Sequence, residues 1–169
     1  MNHLFFCYLF VALNFGAYAQ DTQITKGTVN FTFVEKDVSG TLSDFSSTSV
    51  IDWDNLENSV IEGQVASETI STGNFLRDFA LKRSKYFDVE NHPLITFKST
   101  EIEADSENIT VYGILSIKGI SKSTTIIFQK EGDTLTGTTT LYSSDFDITI
   151  YKKGRTSNKV VVTFKLMLA

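Results

Sequence analysis

Apolar side chains recur at every second position along most of the chain, the spacing of a strand that covers one face and wets the other. Val29, Phe31 and Phe33 form the first such set, and Val38, Gly40 and Leu42 the second. Ile61, Gly63 and Val65 follow, then Ile95 and Phe97 just behind Pro93. Val111, Gly113, Leu115 and Ile117 make a fifth set, and Thr124, Ile126 and Phe128 a sixth. Leu135, Gly137, Thr139 and Leu141 make the seventh, and Val160, Val162, Phe164, Leu166 and Leu168 the last. Some runs are apolar on the second face too, as at Tyr112, Ile114, Val161 and Met167, so the outside is partly covered. The glycines at 40, 63, 113 and 137 fall inside these runs, where they permit strong coiling or a close approach. About eight antiparallel strands with interior glycines predict an all-β chain closed into a small barrel.

One stretch breaks the alternation. Phe75, Leu76, Phe79 and Ala80 are apolar at helical spacing behind Thr72-Gly73-Asn74. Asn74 is a good N-cap, because its side-chain oxygen can accept a free N–H of the first turn. Asp78 lies early, and Lys82, Arg83 and Lys85 lie late, which suits the helix dipole. The spacing predicts a short helix from Phe75 to about Lys82. Arg77 and Asp78 are neighbours and point about 100° apart, so they are read as structural ties of the helix and not as a catalytic pair.

Met1 to Ala19 carry no Asp, Glu, Lys or Arg and end in Gly16-Ala17-Tyr18-Ala19. A short apolar run with a small-x-small ending reads as a signal peptide cleaved before Gln20, with an uncleaved anchor as the alternative. The expected domain is then residues 20–169, in the periplasm or secreted. From Gln20 onward the chain has no cysteine and one histidine, His92. An internal disulfide and a cysteine zinc site are therefore excluded there, and His92 beside Pro93 reads as a loop residue. Of those 150 residues 46 are Val, Ile or Thr, which strengthens the strand reading.

Fifteen Lys and Arg against twenty Asp and Glu leave a net charge of −5. That balance makes nucleic acid or an anionic membrane surface a poor partner, since both reward clustered positive charge. Asp52, Asp54 and Glu57 lack the glycine and the oxygen spacing of a calcium loop and read as a solvated turn, with Trp53 a lid or an anchor. Lys152, Lys153 and Arg155 form a small basic patch, either a turn tip or a rim that meets a polar head group. No Gly-x-Ser-x-Gly elbow or phosphate-binding glycine loop is present, so no catalytic residue, metal or cofactor is assigned and an enzyme is not expected.

Three segments carry a family resemblance. Thr72-Gly73-Asn74-Phe75-Leu76-Arg77-Asp78-Phe79-Ala80-Leu81, with Tyr86-Phe87 behind it, resembles the signature of the YceI-like family. Pro93-Leu94-Ile95-Thr96-Phe97-Lys98-Ser99 and Val111 to Lys122 are similar to that family's later strands. The resemblance implies a lipocalin-like, eight-stranded antiparallel barrel that is exported and holds a long polyisoprenoid or quinone-type lipid. The sequence departs from the family in the stretch Lys26-Gly27-Thr28-Val29-Asn30-Phe31, where a His-Ser pair is common, and at Asp147, where glycine is common. Both lie near strand ends, where a barrel mouth is expected.

Alternation alone serves a filled core as well as a lined cavity, and the resemblance favours the cavity. Its expected lining is Phe31, Phe33, Leu42, Ile61, Phe97, Leu115, Ile126 and Phe164, with Asn74, Arg77 and Asp78 as the structural helix motif. The expected partner is a long-chain isoprenoid or other apolar lipid, with a homodimer allowed and neither nucleic acid nor metal. The alternative is a filled barrel that binds another exported protein through its outer face, at Tyr112, Ile114 and Ile127. An enzyme acting on a lipid would need an inward titratable residue, and the pattern names none.

Overall fold

Five long strands form a meander over the C-terminal half of the chain in the computed structural model, which describes residues 21–169. They are β6 (Leu94–Ala104), β7 (Ile109–Ile117), β8 (Ile120–Glu131), β9 (Thr134–Tyr142) and β10 (Lys159–Leu168). The first half supplies β1 (Thr22–Phe33), β2 (Val38–Leu42) and β5 (Glu62–Ala66), with the two-residue strands β3 (Ser46–Ser47) and β4 (Val50–Ile51) between them. The eight strands of five residues or more coincide with the eight alternating runs.

The strand order is β2-β1-β10-β9-β8-β7-β6-β5-β3, and the paired neighbours are antiparallel. Short pieces tie the two ends of this path together. β4 pairs with the start of β1, Val50 bridges to Val60 just before β5, and Thr41 of β2 bridges to Ser71. The result is a lipocalin-like barrel whose seam is closed by a two-residue ladder and single bridges instead of a long ladder. Turns are tight where the meander needs them. Lys118 and Gly119, with φ of 51° and 72°, make the two-residue link between β7 and β8 that matches the twist of the strands.

Two register shifts matter for the interior. One lies between Ile24 and Lys26 in β1, the other between Ser99 and Glu101 in β6. An extra residue at a bulge flips the facing of everything beyond it. Ile24 and Ile102 are therefore buried with the odd-numbered Val29 and Ile95, although strict alternation would turn them outward.

The interior divides into two regions. At one end Ile24, Ile51, Ile61, Ile102, Val111, Phe128, Leu135 and Leu168 pack into a filled plug. Towards the other end Val29, Val65, Ile95, Ile117, Phe146 and Ile148 back a wall of partly buried Leu42, Leu115, Leu141, Val162 and Phe164. The barrel is thus filled at one end and lined at the other.

Helix α1 (Phe75–Leu81) lies between β5 and β6 at the lined end and is capped as expected, Asn74 Oδ1 accepting from Arg77 N at 3.0 Å. Lys82 stands as its C-cap, one residue short of the expected end. Its apolar spacing does not mark a buried face. Only Leu81 is buried, while Phe75 is 81%, Leu76 76% and Phe79 51% exposed. No helix among the described residues is long and apolar enough to cross a membrane. The signal-peptide reading of 1–19 falls outside the described residues.

Candidate functional site

A cavity of about 570 Å³ fills the lined end of the barrel. All eight residues expected on a lining stand on its wall: Phe31 and Phe33 from β1, Leu42 from β2, Ile61 before β5, Phe97 from β6, Leu115 from β7, Ile126 from β8 and Phe164 from β10. Phe31, Leu42, Phe97, Leu115 and Phe164 are only half-buried although they point inward, because the cavity leaves one side of each uncovered. Wall residues that are also exposed, among them Lys36, Ala80 and Ile150, mark the mouth beside α1.

Other wall residues escaped the alternation. Phe45 sits in the polar stretch between β2 and β3, and its ring packs where a side chain on Gly27 or Gly63 would stand. Ile70, Tyr86 and Phe87 come from the irregular segments flanking α1. Phe146 and Ile148 follow β9 and are 2% exposed each. A lone aromatic in a serine-rich stretch, as at Phe45, was the available signal for such a residue.

Polar residues on the wall include Ser47, Ser49, Glu62, Gln64 and Thr96 along β3 to β6, and Thr72, Arg77 and Ser143 nearer the mouth. Arg77 Nε donates to Thr72 Oγ1 at 2.7 Å and Nη2 to Thr72 O at 3.0 Å. Asp78 accepts from Thr72 N at 2.8 Å, from the Thr72 hydroxyl, and from Ser71 Oγ at 3.4 Å. The two neighbours converge on Thr72 despite pointing apart, and so pin α1 to the loop before it. Burial alone would raise the Asp78 pKa, but the Thr72 hydroxyl and N–H, the Ser71 hydroxyl and the Arg77 charge outweigh it and hold the carboxyl below 3.8. Ser143 lies on the wall, 7% exposed, with no hydrogen-bond partner for its hydroxyl.

Trp53 is not a lid at the mouth; it is placed as an amphipathic anchor. It packs on the filled plug, donates from Nε1 to Thr22 Oγ1 at 3.0 Å and lies under Lys130 at 5.2 Å. Asp52 next to it accepts from the N–H groups of Asp54 and Asn55, both at 3.0 Å, and so shapes the turn. His92 is a loop residue 3.9 Å from Asp88, and its ring fills the space beside Gly119. Among the described residues no three His, Cys, Asp or Glu converge as a metal site.

The basic patch is partly spoken for. Arg155 pairs with Asp145 at 2.7 Å and lies 3.7 Å over the Tyr142 ring, while Lys153 and Lys36 flank Tyr151. Of the two departures from the family pattern, Asp147 is at the mouth, with φ of 56° and its carboxylate 3.1 Å from Lys118 Nζ. The other, Lys26 to Phe31, runs along β1 from beside the filled plug at Lys26 to the cavity wall at Phe31.

Fold and site together define a small antiparallel barrel, plugged at one end and hollow and apolar at the other. The model of the YceI-like domain matches residues 18–168, and the chain belongs to that family. A UPF0312 protein of Ectopseudomonas mendocina is 30% identical over 146 residues, 78% of this chain and 76% of that protein. A UPF0312 protein of Pectobacterium atrosepticum is 28% identical over 83 residues, 49% of this chain. The chain spans less than half the length of that relative and of a UPF0312 protein of Enterobacter, 43% and 45%.

Among solved structures, BcnA of Burkholderia cenocepacia superposes with a TM-score of 0.75 at 21% identity, over 87% of this chain and 99% of BcnA. A polyisoprenoid binding domain from Saccharophagus degradans superposes with a TM-score of 0.56 at 13% identity, over 89% of this chain and 97% of that domain. At these identities the likeness is one of fold.

Proposed function

We propose that this protein is an exported carrier or sequestering protein that holds a long apolar isoprenoid or quinone-type lipid in the hollow half of its barrel. The observation that carries this reading is the cavity of about 570 Å³, walled by aromatic and aliphatic side chains and open beside α1. That volume lies within the range of small-molecule sites. The binding named for the Saccharophagus degradans domain supports the same ligand class. The apolar segment 1–19 supports export.

The work is burial. Each methylene moved out of water is worth about 0.8 kcal/mol, so one five-carbon isoprene unit contributes roughly 3–4 kcal/mol before ordering costs. A few units suffice for tight binding. The chain of the ligand lies against Phe31, Phe97, Leu115 and Phe164, and its polar end lies near the mouth, within reach of Arg77, Tyr86 and the unpaired Ser143 hydroxyl. A dry apolar wall gives length selection, and those few polar groups give head-group selection.

The test is to express the full precursor, purify the protein from the exported fraction without detergent, extract it with solvent and weigh the extract by mass spectrometry. An isoprenoid or quinone near one per chain is expected. An empty extract, with no uptake of such lipids offered in vitro, overturns the carrier reading.

A further inference from the structure

We infer that α1 is a membrane-contact element, which seats the mouth of the barrel on an anionic phospholipid surface. Three observations lead there. Phe75, Leu76 and Phe79 stand out from a capped helix into solvent, 81%, 76% and 51% exposed, and Phe75 and Phe79 stack with centroids 6.4 Å apart. Large exposed apolar side chains clustered on one element mark a contact surface. Here they protrude at the rim of an apolar cavity.

The second observation is the charge beside them. Lys82, Arg83 and Lys85 follow the apolar face directly, and none of them has a carboxylate partner among the described residues. The Arg83 guanidinium lies 4.2 Å over the Phe79 ring, so cation and apolar face form one patch. Asp78 does not cancel it, being turned inward to Thr72. An apolar wedge edged by Lys and Arg is the composition of an element that lies in the headgroup layer of an anionic bilayer.

The third observation is where the acid sits. The loop 52–58 and the turns 105–108 and 130–133, all at the plugged end, carry seven carboxylates and one lysine. That excess exceeds the net charge of −5 for the whole chain. The protein is therefore polarised: its net negative charge lies at the end away from α1, while the carboxylates elsewhere are balanced by Lys and Arg. A negative surface repels the plugged end and turns the mouth towards itself. The overall acidity that argued against an anionic membrane is a sum over two unlike ends.

This inference goes beyond lipid carriage and does not need it, since attachment is measured with the cavity empty or full. The purified protein is sedimented with vesicles of phosphatidylcholine alone and of phosphatidylcholine and phosphatidylglycerol in equal parts. Attachment to the mixed vesicles at low salt is expected, several-fold weaker on phosphatidylcholine and in high salt. The double substitution Phe75→Ser/Phe79→Ser, and separately the triple Lys82→Glu/Arg83→Glu/Lys85→Glu, are each expected to lower attachment roughly tenfold or more. Phe75, Phe79, Arg83 and Lys85 are exposed and Lys82 is half-buried, and none is in the core, so the melting temperature is expected to hold. Leu76→Trp is the complementary variant: its emission moves to the blue when mixed vesicles are added. Failure of the unaltered protein to attach overturns the inference, as does attachment indifferent to both sets of substitutions. A homodimer that the serine variant dissociates, with no vesicle attachment, also overturns it and makes a second copy the occupant.

Discussion

Gly137 on β9 lies between Phe128 and Phe164, its ladder partners on β8 and β10, and the two rings meet over it with centroids 6.1 Å apart. A β-carbon at Gly137 would run into the Phe128 ring. Gly113 accommodates the Phe97 ring, and Gly40 the Phe31 ring, in the same way. Gly40 and Gly113 leave room for rings that lie along the cavity wall, and Gly137 seats the Phe128 ring in the plug.

Gly137→Ala is therefore expected to push the Phe128 ring out of place. Overpacking of this kind costs about 1–3 kcal/mol. Denaturant midpoints of the two proteins measure it.

Leu115 points into the cavity and is half-buried because nothing fills the space in front of it. Leu115→Trp is expected to fill that space at a stability cost no greater than the roughly 1–3 kcal/mol of added bulk in a core. Co-purifying lipid, weighed by mass spectrometry, is expected to fall by roughly tenfold or more, since the ligand and the indole compete for one volume.

Asp78 gives a dependence on pH. Its folded pKa is depressed below 3.8, so the unfolded chain takes up the proton first as acid is added. The stability it contributes is fully present above that ordinary value and is lost as pH falls through the lower, folded one. Asp78→Asn is expected to lower the melting temperature at neutral pH. The gap between the two proteins closes only at strongly acidic pH, which thermal melts across a pH series will show.

Asn158 is 1% exposed and holds the loop at the mouth. Its Oδ1 accepts from Ile150 N and Tyr151 N, both at 2.9 Å, and its Nδ2 donates to Tyr151 O at 2.8 Å and Gly154 O at 2.9 Å. Asn158→Ala strands all four groups at once. A loss of about 2–4 kcal/mol is expected in chemical denaturation, with faster amide exchange across residues 150–154.

The sequence by itself determined the eight long strands, the Asn74-capped helix and the inward set from Phe31 to Phe164. Period-two alternation and a cap are local signals, legible because each follows from side-chain direction within one element. Tertiary structure alone decided the rest. The bulges that turn Ile24 and Ile102 inward break the parity on which alternation depends, and no residue type announces them. Whether the wall is packed or lined depends on how rings from separate strands lie against glycines on their neighbours. Helical spacing at Phe75 and Phe79 looked the same whether that face met the core or the solvent. The net charge of −5 gave no sign that the excess of acid gathers at the plugged end and the cations that follow α1 at the mouth, because a sum over the chain carries no position. Those properties arise when elements far apart in the chain meet, and only the closed barrel fixes which of them do.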